Sequence, residues 1–214
     1  MISETRQHWE RVHREKDARA ASWFRPHLDT SLRLLQRAGL DPYTRVIDVG
    51  GGTSTLVDDL LDRGVTQVSV LDLSETALEV ARRRLGERAA RVEWRIADIT
   101  HADLPPAGFD LWHDRAVLHF LIGKPATDAY VGQAATALRG GGHAVIGGFA
   151  GDGPERCSGL PVARREAEDI AALFATHFEL IDQAREMHST PWGTAQSFAY
   201  ALLRRRGGGA THAG

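Results

Sequence analysis

The chain has 214 residues, of which 43% are hydrophobic and 25% charged, with a formal net charge of -2. This length and balance suit one globular domain with a substantial core, and near-neutrality gives no reason to expect a nucleic-acid or anionic-membrane partner. All but two of the 26 basic residues are arginine; they are scattered, which reads as compositional bias and not as a phosphate-binding patch. The single cysteine, Cys157, excludes an intramolecular disulfide and a thiolate zinc site, and agrees with a reducing, cytoplasmic setting. The first residues carry no apolar h-region, and no apolar run reaches the length of a membrane span, so neither secretion nor a membrane location is expected. The ten histidines show no H-x-x-x-H pair joined to an acid, so no metal is expected.

In chain order, Ser3 to Lys16 reads as a helix, followed by a second helix near Leu28, Leu32 and Leu35. Residues 1–40 are expected to form a helical cap over the ligand crevice of a core spanning 41–206. Arg45 to Val49 (RVIDV) is a buried strand ending at glycines. Thr53 to Arg63 is a helix stopped by Gly64. Gln67 to Asp72 is a second strand, and Ser74 N-caps the next helix, which Gly86 ends. Arg91 to Ile96 is a third strand, and Phe109 to Trp112 starts a fourth. Pro125 to Leu138 is helical, Gly140 to Gly142 the turn after it, and His143 to Phe149 a fifth strand. Arg165 to Thr176 is a helix. Two strands then flank the turn at Pro191-Trp192-Gly193: Phe178 to Met187 and Ala195 to Arg204. Strands alternating with helices make a doubly wound α/β fold with a mostly parallel sheet and an antiparallel C-terminal hairpin. The glycine-rich tail, 207–214, is expected to be disordered.

Ligands of such sheets bind beyond the carboxyl ends of the strands. The first strand ends in Asp48-Val49-Gly50-Gly51-Gly52-Thr53-Ser54, where glycines admit a sharp turn and a close approach to a ligand. A dinucleotide site would show a similar loop, but Asp48 would repel a pyrophosphate, and Thr55 stands where that fingerprint wants glycine or alanine. Asp48 suits the ammonium of an amino acid instead. Asp72 ends the second strand, twenty-two residues after Gly50, and suits ribose hydroxyls. After the third strand, Asp98 suits the exocyclic amine of adenine, with Ile99 against the ring. Three acids thus match the amine, ribose diol and adenine amine of one aminoacyl nucleoside.

With VIDVGGGTS (46–54), VSVLDLS (68–74), WRIADIT (94–100) and FDLWHDRAVLHFL (109–121), the chain resembles the class I S-adenosylmethionine-dependent methyltransferases. The resemblance implies a Rossmann-like seven-stranded sheet with helices on both faces. It also implies cofactor contacts at Asp48, Gly50, Gly51, Gly52, Asp72, Leu73, Asp98, Ile99 and His113, with S-adenosylhomocysteine as product. The N-terminal pattern around Trp9 and Trp23 is similar to that of thiopurine-type and some lysine methyltransferases, in which this segment closes over the cofactor. Either tryptophan would then face the sulfonium or its carboxylate, the alternative being plain packing.

Methyl transfer from a sulfonium needs alignment more than acid–base chemistry. Three residues near the end of the fourth strand are candidates for the catalytic and acceptor site. Asp114 and Arg115 bind the acceptor or brace the loop, and His119 takes a proton or packs. The glycine- and proline-rich stretch 151–162 reads as a substrate-facing lid carrying Cys157. His188 and Trp192 flank the hairpin turn, either at the same mouth or on the surface. The leading expectation is a small-molecule acceptor methylated on O, N or S. A protein lysine acceptor, a non-catalytic cofactor-binding partner subunit and a dehydrogenase stand behind it, in that order.

Overall fold

The computed structural model describes residues 3–15 and 17–207. Lys16, and residues 208–214 of the tail expected to be disordered, lie outside the described residues. Five parallel strands come first: β1 (Arg45–Val49), β2 (Gln67–Asp72), β3 (Val92–Ile96), β4 (Phe109–Arg115) and β5 (Leu138–Phe149). A two-residue hairpin follows, β6 (Arg156–Cys157) with β7 (Leu160–Pro161), and then β8 (Phe178–Ser189) and β9 (Ala195–Arg205). The seven-stranded sheet runs β3-β2-β1-β4-β5-β9-β8, with β9 antiparallel to both β5 and β8. The helices are α1 (Glu4–Glu15), α2 (Asp29–Arg37), α3 (Leu56–Asp62), α4 (Glu75–Leu85), α5 (Lys124–Ala137) and α6 (Ala167–Phe174).

Each central strand is buried on both faces because its alternate side chains serve two cores. Val46, Val68, Val70 and Leu111 join the leucines of α2 and α3 and Leu78 of α4. Ile47, Val49, Leu71 and Trp112 join Tyr130 of α5 and Phe174 of α6. Each fully buried large apolar side chain contributes roughly 1.5–3 kcal/mol. Trp112 is the largest of them, and its indole N–H donates to the Tyr130 hydroxyl at 3.0 Å. Ser74 caps α4 as expected, its hydroxyl accepting from the Ala77 amide at 3.2 Å.

The glycines at 140–142 are not the turn expected. β5 begins at Leu138, opposite Phe109, and the register then slips so that His143 faces Leu111. The glycines form a bulge inside the strand, where Gly141 takes φ +75° and a Cβ on Gly142 would lie 2.9 Å from the Asp110 carbonyl. Among the described residues no helix is long and apolar enough to cross a membrane. Strand order reverses at β1, with β2 on one side and β4 on the other, and this places a crevice at their carboxyl ends.

Candidate active site

That crevice is a cavity of about 490 Å³ whose walls come from the ends of β1, β2, β3 and β4, from α1 and from the β6–β7 hairpin. The loop after β1 forms its floor. Gly50 has φ +70°, and a Cβ there would stand 2.0 Å from Val117. Gly51 and Gly52 are equally tight: added Cβ atoms would lie 2.4 Å from an Asp48 oxygen and 2.5 Å from an Asp72 oxygen. Asp72 holds this loop in place by accepting from the Gly52 amide at 3.0 Å and the Ser74 amide at 2.8 Å. Burial raises its pKa to about 6 against these two donors, and the charges of Asp48 and Glu10 push the same way. Asp72, Leu73, Asp98 and Ile99 all line the cavity. Asp98 accepts from the amide and hydroxyl of Thr100 at 2.9 and 2.6 Å, both through Oδ1.

Asp48 and His113 lie beneath the loop and outside the cavity lining. Asp48 is 1% exposed, and its Oδ1 is 2.7 Å from His113 Nδ1. A carboxylate only accepts, so Nδ1 carries the proton, and in the neutral ring Nε2 accepts from the Ser31 hydroxyl at 2.9 Å. Asp48 Oδ2 is buried without a hydrogen-bond partner, on the side toward Gly51.

The end of β4 makes a strained turn, with Ala116 at φ +80°. Asp114 braces it by accepting from the amides of Val117 and Leu118 at 2.7 and 2.9 Å and from the Tyr130 hydroxyl at 2.5 Å. Burial raises the Asp114 pKa to about 6 despite these donors. Asp114 therefore serves the turn and does not line the cavity. Arg115 does line it. Its Nε donates to the Tyr200 hydroxyl at 3.0 Å and its Nη1 to the Trp23 carbonyl at 3.1 Å. Its Nη2 is 3.7 Å from Glu186 and makes no hydrogen bond.

The N-terminal segment closes the cavity from above. Thr5, Trp9 and His13 of α1, together with Trp23, face inward. The Trp23 indole N–H donates to the Thr53 hydroxyl at 3.4 Å. Phe120, beyond the β4 turn, packs edge-on to Trp9 with centroids 5.0 Å apart. Core side chains hold three carbonyls of the 22–25 segment: His188 holds Ser22 at 2.6 Å, Arg115 holds Trp23, and Thr55 holds Arg25 at 2.9 Å. At the other end of the cap, Glu10 of α1 takes the first turn of α4. It accepts from the Glu75 amide at 2.8 Å, and from the Thr76 amide and the Ser74 hydroxyl at 3.1 Å each.

The comparisons with known proteins agree with this geometry. Residues 46–142 match the family model described as a methyltransferase domain. The bovine (Bos taurus) eEF1A lysine and N-terminal methyltransferase is 26% identical over 115 residues, 54% of this chain and 16% of that protein. The chain thus spans about one sixth of that relative's length. A structure from the conversion of a disulfide bond into a thioacetal group during echinomycin biosynthesis shares the fold at TM-score 0.75. It is 23% identical, covering 94% of this chain and 92% of that one. The Burkholderia thailandensis 1,6-didemethyltoxoflavin-N1-methyltransferase, with its substrate and S-adenosylhomocysteine bound, superposes at TM-score 0.73. Its identity is also 23%, with 94% and 88% covered.

Residues 46–142 thus match a methyltransferase domain, and the chain shares the fold of S-adenosylmethionine-dependent methyltransferases.

The family's cofactor fits the residues present. The glycine cradle is closed to any side chain, and an orphaned carboxylate oxygen of Asp48 lies under it. Cavity-lining acids follow at the ends of β2 and β3. Among the described residues no group of histidine, cysteine or acidic side chains could hold a metal ion. Other residues singled out from sequence fall elsewhere. Cys157 lines the cavity. His119 is buried against Phe120 and Phe149, and burial lowers its pKa to about 3. Ring contacts and desolvation place it in the packing role. His188 is fully buried and tethers the cap, and Trp192 stands 61% exposed at the hairpin tip; neither lines the cavity. Glu10, Ser31, Thr53 and Phe120 carry structural roles the sequence did not announce. Phe120 sat inside a quoted motif, and Glu10 beside Trp9, but their partners are distant in the chain.

Proposed function

We propose that this methyltransferase transfers the methyl group of S-adenosylmethionine to a small molecule. The observation that carries the reading is a cavity closed by its own N-terminal helix, with acids at one end and rings at the other. Its volume is in the range of small-ligand sites. Asp72 receives the ribose hydroxyls, and Asp98 with Ile99 the adenine. The glycine loop, backed by Asp48 and His113, lies against the amino-acid part. Trp9 and Trp23 cover it. When bound, the cofactor supplies an electrophilic methyl group on a good leaving group. The chain's own residues then have to align the acceptor and keep water out, and α1, Phe120 and the β6–β7 hairpin are placed to do so. Arg115 borders the acceptor half.

The similarity to an eEF1A lysine and N-terminal methyltransferase favours a second reading, a protein acceptor. Release of S-adenosylhomocysteine, measured with a panel of small phenols, thiols and amines beside lysine peptides and protein lysate, separates the two. Turnover with a small molecule alone supports the proposal, and turnover with protein alone overturns it.

A further inference from the structure

The cavity is polarised across the switch point of the sheet. Its lining carboxylates, Asp72 and Asp98, follow β2 and β3. The side formed by the end of β4, the 22–25 segment and the β6–β7 hairpin has no lining carboxylate. It carries two guanidiniums, Arg25 and Arg115. Glu186 is shared between these arginines at 4.0 and 3.7 Å and receives the Tyr200 hydroxyl at 3.2 Å. Asp29, the other acid near Arg25, is 3.8 Å away and largely exposed. An acceptor on this side meets more positive than negative charge, and a buried ammonium without a carboxylate partner is strongly disfavoured.

The rest of that side is a wall of rings and apolar groups. Trp23 and Phe120 stand nearly perpendicular to Trp9, at 76° and 74°, with centroids 6.3 and 5.0 Å away. The His13 ring packs 5.8 Å from each tryptophan. Leu160 and Pro161 lie in the same lining. Perpendicular rings make a corner in which a flat ring can stack on one face and meet the next edge-on. A saturated ring of equal size cannot do both.

We propose that the acceptor is a planar aromatic molecule offering a neutral or anionic heteroatom, held in the corner of Trp9, Trp23 and Phe120. The inference rests on the methyl-transfer reading and narrows its substrate class. It is tested by binding, without turnover. The full chain, saturated with S-adenosylhomocysteine, is titrated with three probes: 2-naphthol, decahydro-2-naphthol and 2-naphthylmethylamine. Calorimetry and tryptophan quenching give the affinities. 2-Naphthol should bind about tenfold more tightly than the saturated alcohol, and about tenfold more tightly than the amine. Phe120→Leu should weaken 2-naphthol by about five- to tenfold, with its melting temperature and S-adenosylhomocysteine affinity retained. Equal affinity for either of the other two probes overturns the class, as does failure of all three to bind the loaded protein. If S-adenosylhomocysteine itself does not bind, the methyl-transfer reading falls first and this inference with it.

Discussion

Removal of the Glu10 carboxylate tests how the cap is held. Glu10 joins α1, which carries Trp9 and His13, to the start of α4 just beyond Asp72 and Leu73. Its side chain is 18% exposed and accepts three donors at 2.8–3.1 Å. It also places negative charge at a helix N-terminus. Hydrogen bonds to a charged group contribute roughly 1.5–3 kcal/mol, so Glu10→Ala is expected to cost about 2 kcal/mol in cap closure. If all of that falls on the cap, apparent affinity for S-adenosylhomocysteine drops by up to about thirtyfold, because only the closed fraction binds fully. Calorimetry gives the affinity, and amide exchange over residues 4–15 reports the opening of α1. Burial works against ionisation of Glu10, but the donors of Thr76, Glu75 and Ser74 outweigh it and hold its pKa below 4.5. The latch is therefore complete above the ordinary glutamate value, and is lost only as pH falls through the lower folded one. Unchanged affinity and unchanged exchange in α1 would refute the latch.

Asp72→Ala should weaken S-adenosylhomocysteine binding by about 1–3 kcal/mol by calorimetry. With the Asp72 pKa raised to about 6, wild-type affinity should fall about tenfold for each pH unit below that value, and Asp72→Asn should flatten this dependence. Gly52→Ala puts a Cβ 2.5 Å from the Asp72 carboxylate and 2.6 Å from Ala77. It should cost about 1–3 kcal/mol in urea unfolding and reduce cofactor affinity. Tyr130→Phe leaves the Trp112 indole without an acceptor and removes one of the three donors to Asp114. It should lower stability by roughly 1–3 kcal/mol, read from the urea midpoint.

Much of this was legible in the sequence because periodicity and glycine chemistry are local. RVIDV followed by three glycines places a strand and its turn. Ser74 lies where a cap is needed, and Asp72 and Asp98 close their strands as read. Asp48 shows where local reading stops. Alternation puts it on the same face as Val46, but the register of β4 decides what meets it there: His113 stands opposite, held in turn by Ser31 of α2. Arg115 could not be assigned before β8 and β9 brought Glu186 and Tyr200 beside it. The bulge at 140–142 was hidden because glycine-rich sequence signals a turn and a bulge equally.

On the proposed function, an aminoacyl nucleoside lies along the acids of β2 and β3, under α1. Calorimetry of the purified chain with S-adenosylhomocysteine and, separately, NADH tests it most directly. One saturable site is expected for the first, competed by S-adenosylmethionine and weakened by Asp72→Ala, and no heat with NADH. Binding of NADH, or of S-adenosylhomocysteine with an affinity indifferent to Asp72, would contradict it.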